Sequence, residues 1–187
     1  MSEFKPRYRS PYEAYPFLSA PSADLRCDFE ILTDEFASET GLLAAMLRGL
    51  GGGERAALAD DLIKAEELVY HANPTLRTFF SLTGDELQWL IGRAADLRAL
   101  IAKQETLFQL PCGSEEACRA HILRSKAKKL TRLAYRAEES GLTVPAGLFD
   151  FLNALSGFFY GLALRLNQLA SVAETPYLSR NYKNTGV

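Results

Sequence analysis

Leu148, Leu152, Leu155, Phe159, Leu162, Leu166 and Leu169 recur at alternating four- and three-residue steps. That spacing is the seam of a helix packed along its whole length against other helices. A helix of this kind needs neighbours to cover it, and four other segments carry the 3.6-residue period. The expected fold class is therefore all-α, a five-helix bundle. A chain of 187 residues is long enough to bury such a core as one domain, without disulfides or a structural metal. The longest uncharged run, Phe151 to Leu164, is shorter than the ~20 residues that span a bilayer and contains Asn153, so a buried helix is expected and no membrane partner. Gly157 and Gly161 on one face of it read as close helix contacts.

The remaining elements follow from punctuation. Pro6, Pro11, Pro16 and Pro21, with Tyr8, Tyr12 and Tyr15 between them, stop any helix in residues 1–22, read as an extended arm. From about Asp24 to Arg48, the residues Leu25, Phe29, Leu32, Phe36, Leu43 and Leu47 set the first helix, and Gly49 to Gly53 ends it. The Gly51-Gly52-Gly53 run lacks the Lys-Ser/Thr of a phosphate loop and reads as a turn. A second helix runs from about Glu54 to His71. It ends at Asn73-Pro74, because the residue before proline is biased away from helical geometry. Thr83-Gly-Asp-Glu86 has the form of a capping box and starts a third helix that reaches about Gln104. Ser114 caps a fourth helix that ends at Gly141, and Pro145 suits the start of the fifth. The bundle domain is thus expected over residues 23–172, with a tail over 173–187. No strand pair with two-residue alternation is visible, which disfavours doubly wound nucleotide-binding folds.

A net charge of −2 argues against bulk nucleic-acid binding. Cations nevertheless gather between Arg119 and Arg136, so an anionic partner would be small and met locally. Cys27, Cys112 and Cys118 are odd in number and form no C-x-x-C pair, which fits a reduced, cytoplasmic protein and no thiolate-held metal. The N-terminus lacks the apolar core of a signal peptide.

At about 100° per residue, His121, Arg124, Ser125, Lys128 and Arg132 fall inside one arc of the fourth helix, opposite Ala120, Leu123, Ala127, Leu130 and Ala134. Unpaired cations resist burial, so this face should meet solvent, carboxylates or an anionic ligand.

The loop and helix together, Phe108-Gln-Leu-Pro-Cys-Gly-Ser114 followed by His121-Ile-Leu-Arg124-Ser-Lys-Ala-Lys-Lys129, resemble the Phe-x-Leu-Pro-Gly-Gly-Ser and His-x-x-Arg segments of the ATP:cob(I)alamin adenosyltransferases. Thr33-Asp-Glu-Phe-Ala-Ser-Glu-Thr-Gly41 is similar to that family's Val-Asp-Glu-Leu-Asn-Ser-x-x-Gly. Phe151-Leu-Asn-Ala-Leu-Ser156 is similar to its Tyr-Leu-Asn-Arg-Leu-Ser. The three segments occur in the family's order and span roughly residues 25–170.

The resemblance implies a helical bundle of the cobalamin adenosyltransferase type, usually a homotrimer with active sites between subunits. It implies transfer of the 5′-deoxyadenosyl group of ATP to reduced cobalamin, with Mg²⁺ bound alongside the nucleotide. Arg124 would pair with Asp34 across a subunit contact, and Phe108 would press on the lower corrin face. Lys128 would stand where the family has a phosphate-touching arginine, Asn153 near the adenosine, and Arg132 and Ser114 among the cofactor-binding residues. The role of His121 stays open.

The chain departs from the family where phosphate is gripped. The N-terminal Lys/Arg-Thr-Gly-Asp-x-Gly-x-Thr loop has no counterpart in residues 1–30. Thr131, Ala154 and Gly157 replace a glutamate, an arginine and an aspartate. Lys128 supplies charge without the bidentate fork of an arginine, while Lys5, Arg7 and Arg9 of the arm offer substitute phosphate contacts. The alternative reading is a non-catalytic relative that binds a corrinoid, a nucleotide or a partner protein on the same bundle.

Overall fold

The structure is a computed structural model; it describes residues 8–100 and 108–180, and of Phe108 the backbone alone. Lys5, Arg7, residues 101–104 of the expected third helix and the last seven residues of the tail lie outside that description.

The described residues form five helices: α1 (Leu25–Leu50), α2 (Gly53–Ala72), α3 (Gly84–Ala99), α4 (Glu115–Glu139) and α5 (Ala146–Leu169). Neighbouring helices follow the order α2, α1, α4, α5, α3 across the bundle. The leucine seam of α5 is buried from Leu148 to Leu166, and Leu169 packs partly buried at its end. Phe151, Phe158, Ala163 and Leu164 are buried as well, because α5 is covered by α3 on one side and α4 on the other. By length and composition α5 could cross a membrane. Here it is the inner helix of the bundle, with Phe159 set edge-on against Phe36 of α1 at 5.4 Å.

The helix ends obey their caps. Asp24 accepts from the Arg26 N–H at the start of α1, Thr83 and Glu86 complete the capping box of α3, and Ser114 accepts from Ala117 at the start of α4. Gly51 and Gly52 turn between α1 and α2 with φ of 72° and 93°, a conformation that suits glycine.

Three expectations are corrected, and one short strand contact is added to the helical fold. Asn73 adopts helical geometry (φ −51°, ψ −51°) and opens a 3₁₀ turn over Asn73–Leu76. Its side chain explains this: Nδ2 donates to the Glu30 carbonyl and to Thr33 Oγ1, which fixes Asn73 against α1. Leu32 leaves the buried stripe of α1 and is 38% exposed, while Thr33 and Thr40 are buried with their hydroxyls bonded to the Phe29 and Phe36 carbonyls.

The arm is not extended over its described part. Prolines 11 and 16 occupy the second position of turns closed by Glu13 N–H to Ser10 and Leu18 N–H to Tyr15, the place their fixed φ favours. Finally, β1 (Phe108–Gln109) and β2 (Pro176–Tyr177) pair antiparallel, Phe108 opposite Tyr177, so part of the tail returns to the loop before α4. A two-residue ladder leaves no alternation for sequence reading to detect.

Candidate functional site

The cationic arc of α4 is divided by the packing. Its N-terminal part turns inward: His121 is 3% exposed, and the Arg124 guanidinium lies 5.3 Å from the ring centre of Tyr160 on α5. Burial, with Arg124 nearby, pulls the His121 pKa down to about 4, so the imidazole is neutral. The expectation that His121 shares an outward face is thus overturned, because α4 is flanked by α5 as well as α1 and buries a wider sector than one stripe.

Further along, α4 stays open. Lys128, Lys129, Arg132 and Arg136 line a cavity of about 600 Å³ against α1, with Ile31 and Leu32 as its apolar wall and Asp28 as its carboxylate. Among the described residues, none of these four cations has an ion-pair partner, whereas Lys126 on the same helix bridges Glu35 and Glu39 at 2.7 Å each. Four cations without ion-pair partners on one wall make a positive surface that favours anions. Lys129 and Arg136 belong to the cation cluster seen in the sequence but not to its site residues, because each lies just outside the arc drawn through His121 and Arg132.

Two smaller cavities adjoin this one. Ile31 also lines a space of about 340 Å³ containing Asp34, Tyr15 and Tyr70, and Lys129 also lines one of about 310 Å³ containing His121, Pro111 and Cys118. Lys128 and Arg132 therefore line the α1/α4 cavity and the Pro111 loop borders the space beside it, whereas Asp34 lies on the side of α1 that faces α2. In this chain Asp34 accepts from the Tyr70 hydroxyl at 2.6 Å, and Arg124 lies against Tyr160.

The other sequence candidates are placed differently. Asn153 is exposed on α5, donates to the Phe149 carbonyl at 2.8 Å, and lines a cavity of about 610 Å³ with Arg98 of α3. It is therefore in another groove from Lys128 and Arg132. Ser114 has both polar groups engaged: its hydroxyl caps α4 and its N–H donates to Asn167 Oδ1 at 2.9 Å. Phe108 opens β1. Asn167, wholly buried near the end of α5, was missed. A polar residue one position after a seam leucine was its only signal.

Among the described residues no group of three or more His, Cys, Asp or Glu side chains could hold a metal ion. The residues present fit Mg²⁺ only as a companion of phosphate oxygens and water, which is how that ion commonly binds nucleotides.

No family model matches the chain, and no curated protein matches it. Solved structures do. A variant of a PduO-type ATP:corrinoid adenosyltransferase from Lactobacillus reuteri, complexed with cobalamin and ATP, superposes with a TM-score of 0.72 at 18% identity, covering 83% of this chain and 87% of that one. A second variant of that enzyme, complexed with ATP, gives 0.72 at 20% identity over 83% and 88%. A third, with cobalamin and ATP, gives 0.71 at 20% over 86% and 87%. The chain therefore has the helical-bundle fold of the PduO-type corrinoid adenosyltransferases.

Proposed function

We propose that this chain is an ATP-dependent corrinoid adenosyltransferase, working in the cytoplasm as a homotrimer on ATP, with Mg²⁺ bound to the nucleotide, and on reduced cobalamin. The observation that carries the reading is the set of four cations, Lys128, Lys129, Arg132 and Arg136, left without ion-pair partners on one cavity wall of this fold. Reduced cobalt, part of the substrate, attacks C5′ of ATP. The Co–C bond forms as the C5′–O bond breaks, and triphosphate departs with the bonding electron pair.

The protein's share of that reaction is electrostatic and positional. Cations aimed at the leaving polyphosphate stabilise the charge that develops there, and holding the two substrates in contact removes the entropic part of the barrier. Lys128 and Arg132 take the phosphates and Asn153 the adenosine. Arg124 and Asp34 meet across the subunit contact, Phe108 faces the corrin, and Ser114 closes the loop beneath it. Because Asn153 lies in a different groove of the same chain from Lys128 and Arg132, one complete site needs residues from two subunits.

That same separation favours a second reading, a relative that binds a corrinoid or nucleotide without transfer. Incubation with ATP, Mg²⁺ and chemically reduced cobalamin separates the two. A new alkyl-cobalt absorption spectrum supports transfer; tight corrinoid binding with an unchanged spectrum supports the second reading and defeats the first.

A further inference from the structure

Asn167 is 0% exposed, in a helix whose other buried positions are almost all apolar. Packing alone would be served there by leucine, since a buried amide is unfavourable unless its polar atoms are bonded. All of them are. Oδ1 accepts from Ser114 N–H at 2.9 Å, and Nδ2 donates to the Cys112 carbonyl at 3.0 Å and to the Glu174 carboxylate at 2.9 Å.

Cys112 and Ser114 flank Gly113, so one side chain spans the turn that leads from β1 into α4. Gly113 sits at φ 131°, and a Cβ there would collide with the Asn167 amide. The loop thus lies against Asn167 at a distance only glycine permits. The tail closes the other side. Val172 N–H bonds the Asn167 carbonyl, Leu110 N–H bonds the Thr175 carbonyl, and β2 pairs with β1. Helix, loop and tail meet at one amide.

Resting on the proposed function, we infer that Asn167 is a positioning residue: it sets the height of the Phe108 to Ser114 loop and so governs how the corrinoid seats, without touching either substrate. Asn167→Ala removes three hydrogen bonds, of which loss of the Ser114 clamp alone is worth about tenfold in an equilibrium. Gly113→Ala disturbs the same contact from the loop side, and serves if the first variant folds poorly.

The test measures KM for reduced cobalamin and for ATP separately, with hydrogen exchange across residues 110–118. Both variants should raise the cobalamin KM about tenfold and leave the ATP KM within about twofold, with faster exchange at Ser114. The double variant should be no worse than the worse single one, because both break one contact. Equal rises in both KM values, or unchanged exchange at Ser114, overturn the inference. A wild-type chain that neither binds nor alkylates cobalamin overturns the proposed function and with it the positioning role, whereas the exchange data still score the clamp on its own.

Discussion

Arg77 reaches Glu30 with two parallel hydrogen bonds, Nε to Oε1 at 2.8 Å and Nη2 to Oε2 at 2.7 Å, and the carboxylate is 5% exposed. Tyr15 donates to the same carboxylate, and the guanidinium stacks 3.5 Å from the centre of the Phe17 ring. Burial raises the Glu30 pKa, but the hydrogen bonds from Arg77 and Tyr15 outweigh it and hold the group below its ordinary value. Conversely, burial and the bond to Glu30 push the Tyr15 phenol up to about 12. This cluster fastens the N-terminal turns to α1 and to the 3₁₀ turn.

Removing one partner leaves a buried charge alone, so Arg77→Met should cost about 3 kcal/mol. The double variant Arg77→Met with Glu30→Leu should recover most of it. Thermal melts measure both, and proteolysis within residues 8–24 should quicken in both variants, because the double one also removes the carboxylate that holds Tyr15.

His121 makes stability depend on pH. Its folded pKa, about 4, lies below the ordinary 6.5, so the unfolded chain takes up a proton that the folded chain refuses. Its contribution is complete above pH 6.5 and is lost progressively as pH falls toward 4. His121→Leu should flatten the urea midpoint between those values; an unchanged slope would place the titration elsewhere.

The two glycines on one face of α5 should respond in opposite ways. A Cβ at Gly161 would lie 2.9 Å from Leu97 Cβ of α3, whereas at Gly157 the nearest atoms are Arg98 Nη2 at 3.7 Å and Ala94 Cβ at 3.9 Å. Gly161→Ala should destabilise by about 1 to 3 kcal/mol through overpacking. Gly157→Ala should stabilise by up to about 1 kcal/mol through helix propensity. Chemical denaturation of each variant decides.

Under the proposed function, Lys128→Arg should lower the ATP KM about threefold, since a guanidinium binds phosphate with a fork that an ammonium lacks. Arg132→Ala should raise it about tenfold. The ATP KM of the wild type should climb with ionic strength, as expected of exposed cations. A salt-independent KM would remove this cavity from the nucleotide site.

What the sequence showed clearly was periodic or capped. The α5 seam, the Thr83 box and the Ser114 cap depend on residues a few positions apart, and each is present. The candidate site was legible where side chains face outward, as at Lys128 and Arg132. His121 misled because it is buried where α4 packs beside α5, near Tyr160, a contact between helices that no local pattern encodes. Asn73 misled for a similar reason: two hydrogen bonds to α1 override the bias imposed by Pro74. Asn167 was overlooked because two of its three side-chain partners lie in a loop more than fifty residues away in sequence.

The β1–β2 ladder also bears on the order in which the chain assembles. Its two strands belong to opposite ends of the α4–α5 hairpin, so they can meet only after those helices have docked and the chain has been made through Tyr177. A contact so distant in sequence repays its closure entropy late. During synthesis all five helices are made before β2, so the loop that opens with Phe108 receives its final shape only after the bundle that it serves has been translated.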